Sequence, residues 1–213
     1  MFKEIPFNKS YLTRRRPIHG IGINDSEYLT GYVENGKKIM CPYYARWHDM
    51  LTRCYSSKLK ARNPTYIGCS VCPEWLLFSN FRAWMKNQDW QDKQLDKDVI
   101  LPSNKIYSPE TCAFITRQLN TLLNNCGTLK GKGFRGATWN EERKKYQSGI
   151  RVDGKRVSLG RYDSKEEASQ AYINAKLEMI LDAVKIQSDV RVANGLRLHA
   201  EILISGSINK ITK

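Results

Sequence analysis

Between Phe134 and Tyr162 the residues able to do chemistry are cations placed on short strands. In KYQSGIRV, residues 145–152, two-residue alternation sets Tyr146, Ser148, Ile150 and Val152 on one side and Gln147, Gly149 and Arg151 on the other. KRVSLGRY, residues 155–162, continues the pattern, with Val157 and Leu159 opposed by Arg156 and Ser158. An arginine on such a face can pair with a guanine edge through a bidentate fork, and a two- or three-stranded ribbon fits the DNA major groove. The plainer reading of the same arginines is a solvated sheet face.

The elements that must position these side chains are legible around them. Turn signals at Asn140–Lys144 and at Asp153-Gly154 divide the stretch into three antiparallel strands. A helix is expected from Ser164, where the hydroxyl caps and Glu167 reaches back as a capping box. Ala168, Ala171, Tyr172, Ala175 and Leu177 supply small and apolar surface for packing that helix on the sheet. From Gly127 to Asp163 there are ten Lys and Arg against four Asp and Glu, and the charge sits on the strands.

These residues carry a resemblance. FRGATW followed by KYQSGIRVDGKRVSLGRYDSKEEASQAY looks like the plant ethylene-response-factor (Apetala-two) DNA-binding domain, which also occurs in phage proteins. The resemblance covers about fifty residues and implies a sheet inserted into the major groove with a helix behind it. It further implies DNA contacts by Arg135, Gln147, Arg151 and Arg156, with Trp139 and Lys145 at the rim. Two positions depart from the family's pattern. A glutamate of the second strand is here Gly149, and a tryptophan of the third strand is here Ser158, so the plant target site is not carried over.

The bulk numbers agree with a polyanionic partner. The chain has 213 residues, a formal net charge of +14 and a pI near 9.6. Neutralising phosphates releases condensed counterions, which makes double-stranded DNA the first partner to consider for such a surplus. Wholesale disorder is excluded by a hydrophobic content of 41%. A membrane partner is not expected, since no run of about 18 apolar residues exists, and neither is a small-molecule substrate. The opening MFKEIPFNKSYLTRRRPIHG lacks a secretory core, and six cysteines then read as reduced thiols in an intracellular setting.

Along the chain, residues 1–40 read as an irregular arm in which Arg14, Arg15 and Arg16 touch phosphates or merely pack. PYYARWHDMLTRCY carries Tyr44, Trp47, Leu51 and Cys54 at helical spacing, and SNFRAWMK marks a second helix. CSVCPEW suits a short strand, LDKDVIL a strand, and the stretch from Ile115 to Asn124 a short helix. Residues 127–133, GTLKGKG, form a basic glycine-rich linker between residues 41–126 and residues 134–183. Residues 184–213 are a tail that reads equally as a strand with a small helix or as a loosely docked segment.

A second resemblance lies in the central part. Arg53-Cys54-Tyr55, the run from Val71 to Trp75, the run from Leu95 to Asp98 and the run from Tyr107 to Phe114 occur in the order seen in phage HNH endonucleases, whose fold is a ββα-metal unit. That chemistry uses a histidine base to activate water and a divalent cation, magnesium or manganese, to stabilise phosphorane charge. Here Lys97, flanked by Asp96 and Asp98, stands where the family has its histidine, and Thr111 stands at the central asparagine position. A charged lysine is a poor base, yet Asp96 or Asp98 with Asn120 or Asn124 could hold a metal. Cys69 and Cys72 form one C-x-x-C without a matching second pair, so zinc is not expected.

The expected protein is α+β, with an HNH-like ββα-containing domain followed by a three-stranded antiparallel sheet packed on one helix. The two resemblances together imply a phage-type homing endonuclease, working on DNA in the cytoplasm of a bacterial host. Two activities stay open: metal-dependent nicking by the central domain, or DNA binding alone by a regulator or structural protein with a degenerate HNH domain.

Overall fold

The computed structural model describes residues 2–7, 15–124 and 134–211 of the chain. It is a mixed α+β protein with small sheets, dividing into two compact units. One comprises residues 1–97 and 104–114, the other residues 98–103 and 115–213. The expected linker 127–133, Arg14 and the side chain of Asn124 lie outside the described residues.

In the first unit the last ten residues of the 1–40 segment form a hairpin. Strands β1 (Gly31–Glu34) and β2 (Lys37–Met40) pair antiparallel around Asn35 and Gly36, both at positive φ. Asn-Gly is the pair such a tight turn requires, so the signal was present in the sequence. Arg15 is spent inside the same region. Its guanidinium donates to the carbonyls of Asn24 (2.7 Å), Ser26 (2.8 Å) and Tyr28 (3.1 Å), pinning the segment instead of facing a phosphate.

Helix α1 (Pro42–Tyr55) starts at a proline in its first turn and buries Trp47, Met50, Leu51 and Cys54 on one face. Ser56 ends it in extended conformation and caps α2 (Ser57–Arg62) by accepting from the Leu59 N–H at 3.2 Å. Strand β3 (Ser70–Val71) and a 3-10 turn at Pro73–Leu76 lead to α3 (Phe78–Lys86), which buries Phe78, Phe81 and Met85. Trp47 and Trp75 anchor this core, the indole N–H of Trp47 donating to the Trp75 carbonyl at 2.7 Å. Pairing satisfies the one polar atom of a fully buried indole.

The LDKDVIL segment is a shorter strand than its composition suggests. Strand β4 (Gln94–Asp96) pairs with β6 (Ala113–Ile115), while β5 (Ile106–Tyr107) runs parallel to β3. The ladder stops because Lys97 is claimed by Asn104. The Lys97 ammonium donates to the Asn104 carbonyl at 2.6 Å, and the Asn104 amide donates back to the Lys97 carbonyl at 2.9 Å.

In the second unit α4 (Arg117–Asn124) follows Thr116, whose hydroxyl accepts from the Leu119 N–H. Strands β7 (Ala137–Asn140), β8 (Lys145–Val152) and β9 (Lys155–Tyr162) form the three-stranded antiparallel sheet in sequence order. Helix α5 (Lys165–Lys185) opens with the expected capping box between Ser164 and Glu167 and packs against all three strands. The undecided tail is a helix, α6 (Val190–Ile211), packed on α5. Buried Val192, Ala193, Leu196, His199, Ala200 and Leu203 recur at helical spacing, a pattern the mixed composition of the segment obscures. Gly195 allows α6 to touch the 98–103 segment, since a Cβ there would lie 2.0 Å from the Val99 carbonyl oxygen.

Candidate nucleic-acid interface

The outer face of the three-stranded sheet collects the cations. Register sets Gln147 opposite Thr138 and Arg161, Gly149 opposite Ser158, and Arg151 opposite Arg156. Ser148 and Ile150 are buried on the other face, toward which α5 packs. No strand of the sheet contains an acidic residue. Among the described residues, the side chains of Arg151, Arg156 and Arg161 make no ion pair.

Arg161 is the residue that alternation alone misplaces. It lies five positions from Arg156, so an unbroken strand would turn it toward the helix. A β-bulge at the Ser148/Gly149 step adds Leu159 to β9 and restores Arg161 to the outer face. Gly160 accommodates the bulge at φ 123°, and the Tyr162 hydroxyl donates to the Leu159 carbonyl at 2.7 Å. The Leu159-Gly160 pair was the only local sequence signal, as glycine within a strand often marks a bulge.

Gly149 gives Arg156 its seat. A Cβ at that position would stand 3.1 Å from both the Arg156 Nε and the Val157 carbonyl oxygen, so the Arg156 stem lies across bare backbone that a larger residue would crowd. Arg151 and Arg156, directly opposed and exposed, repel each other across the strands, a cost of about 0.2–1 kcal/mol that a bound anion would offset.

The remaining expected contacts divide. Arg135 is half-buried in the turn before β7, where Gly136, at φ 72°, lets the backbone press on Tyr172. Lys145 shares the outer parity of Gln147 but holds the Asp163 carboxylate at 2.6 Å. That exposed ion pair is weak and can open. Trp139 is 41% exposed. It sits opposite Tyr146, edge-to-face at a centroid distance of 4.8 Å, so register assigns it to the helix-side face at its margin rather than to the face of Gln147 and Arg151.

The residues expected to be catalytic in the central part take the following places. Lys97 is buried, 6% exposed, and its Nζ donates to the Asn104 carbonyl at 2.6 Å. Asp96, on β4, lies close enough to Cys112 to add to the upward push that burial gives that thiol. The Asp98 carbonyl receives the Nε2–H of His199 at 2.9 Å. Asn120 is a half-buried residue of α4. Among the described residues no group of three or more His, Cys, Asp or Glu could hold a metal ion. Burial raises the Cys54 thiol to about 12 and the Cys72 thiol to about 11.

No described helix is long and apolar enough to cross a membrane. No protein-family model, curated protein or solved structure matches the chain.

Proposed function

We propose that the protein binds double-stranded DNA through the outer face of the β7–β8–β9 sheet, with Arg151, Arg156, Arg161 and Gln147 reading base edges in the major groove. The observation that carries this reading is the acid-free face on which Arg151 directly opposes Arg156. Clustering like charges is unfavourable in isolation and favourable against phosphates and guanine acceptors. The resemblance to ethylene-response-factor domains supports the same docking. Gly149 and Ser158 imply a different target sequence from that family's plant site. RNA is disfavoured because the major groove of an A-form helix is too deep and narrow for a sheet.

The central unit, similar in its motif order to phage HNH endonucleases, acts in this reading as a second DNA-binding body without cleavage. The specific support is the engaged, buried Lys97 at the position of the base.

Selection of bound duplexes from a random pool tests both parts. A short enriched motif with intact strands in magnesium or manganese is expected. Failure to enrich any motif refutes base reading by the sheet, and nicks at the enriched site, abolished by Asp98→Ala, refute the non-cleaving reading.

A further inference from the structure

Unit one carries a basic projection of its own. From Ser56 to Pro73 the chain has three cations, Lys58, Lys60 and Arg62, and no acid. Lys58 and Arg62 are exposed and four residues apart on α2, which places them on one side of the helix. Lys105, also exposed, reaches the same projection by donating to the Thr65 carbonyl at 2.8 Å. Among the described residues, none of Lys58, Lys60 and Arg62 makes an ion pair.

The projection is held in shape from within. Ser56 caps its start, the Asn63 N–H bonds the Leu59 carbonyl, and the Ile67 N–H bonds the Pro64 carbonyl. The Arg53 guanidinium lies over the Tyr66 ring at 6.0 Å, fixing the loop to the core beneath. Ile67 stands 61% exposed just beyond the basic helix. The backbone that carries these cations is already ordered, so only their side chains lose conformational freedom on meeting a rigid polyanion.

We infer that α2 and the loop after it form a second, sequence-independent contact of this protein with the phosphate backbone of duplex DNA. Lys58 and Arg62 each neutralise a phosphate, and Lys60 and Lys105 raise the local potential. The inference rests on duplex DNA being the partner, as proposed for the sheet, but uses none of the sheet's residues. Phosphate contacts of this kind fix position and add affinity without adding sequence preference.

The test measures binding of the full chain to a selected duplex and to a scrambled duplex over a series of salt concentrations. Lys58→Ala with Arg62→Ala should weaken both complexes by the same factor and lower the slope of log affinity against log salt by about two. The Lys58→Gln/Arg62→Gln pair should behave alike, and an unchanged melting temperature in both excludes misfolding. Lys185→Ala, at a lysine already paired with Asp182, is the control and should leave the slope in place. An unchanged slope in the α2 variants overturns this inference even where Arg151→Ala erodes selectivity. A lowered slope with no effect of Arg151→Ala upholds it and overturns the reading of the sheet. Absence of binding by the unaltered protein overturns both.

Discussion

The Tyr162 hydroxyl donates to the Leu159 carbonyl at 2.7 Å, two residues around the bulge that decides which way Arg161 points. That bond ties the extra residue to the end of its own strand. The basic face depends on it, because without the bulge Arg161 would be turned away from Gln147.

Tyr162→Phe should therefore cost about 1 kcal/mol of stability, the net worth of one hydrogen bond. It should also weaken binding to the selected duplex by more than that stability change explains, as Arg161 loses its fixed direction. Chemical denaturation and titration of the duplex read the two effects separately. Binding that tracks stability alone would remove Arg161 from the interface.

Gly136→Ala should destabilise the second unit by about 2–4 kcal/mol. The new Cβ would lie 2.2 Å from the Tyr172 Cγ, and the backbone sits at φ 72°, so crowding and left-handed strain add. Thermal unfolding checks this, and pairing it with Tyr172→Ala should recover part of the loss.

Gly149→Ala should shift recognition more than folding. The methyl group would stand 3.1 Å from both the Arg156 Nε and the Val157 carbonyl oxygen, and the flexible Arg156 side chain gives way first, so the preferred base under Arg156 should change or its selection weaken by about 1–3 kcal/mol. Repeating the duplex selection with the variant shows which position of the motif moves. An unaltered motif would place Arg156 on phosphate instead.

Asp189 should make the α5–α6 hairpin sensitive to acid. Its hydrogen bond to Arg191 is the largest influence on its carboxyl and holds it below the usual carboxylate range, helped by backbone N–H groups at the start of α6. A depressed folded-state pKa contributes stability that is complete above the unfolded value, near 4, and lost as pH falls through the folded value. Asp189→Asn should flatten that acid limb and, since the Arg191 pair is partly exposed and screened, cost only about 0.2–1 kcal/mol at neutral pH. Melting temperature followed from pH 7 to pH 3 makes the comparison.

Much of the local structure was legible in the sequence. Pro42 and the Trp47, Leu51, Cys54 stripe define α1, and Ser164 with Glu167 defines the start of α5, because capping and amphipathic spacing are short-range properties. The Asn35-Gly36 hairpin is equally local, set by a turn pair inside a polar, glycine-containing segment. The length of β4 was not legible. Whether Lys97 continues a strand depends on Asn104, seven residues on, folding back to take its carbonyl and ammonium.

By itself the sequence determined the surplus of positive charge, its concentration on residues 127–163, and the strand–strand–strand–helix order that follows from turn and cap signals. Tertiary structure decided which of those charges share a face. Side-chain direction in a strand is set by counting residues from a paired neighbour, and one bulged residue, Leu159, reverses the count for Arg161, while register alone sends Trp139 to the other side. It likewise decided that Lys97 is buried with its Nζ on the Asn104 carbonyl, since only the folded chain brings the two within 2.6 Å.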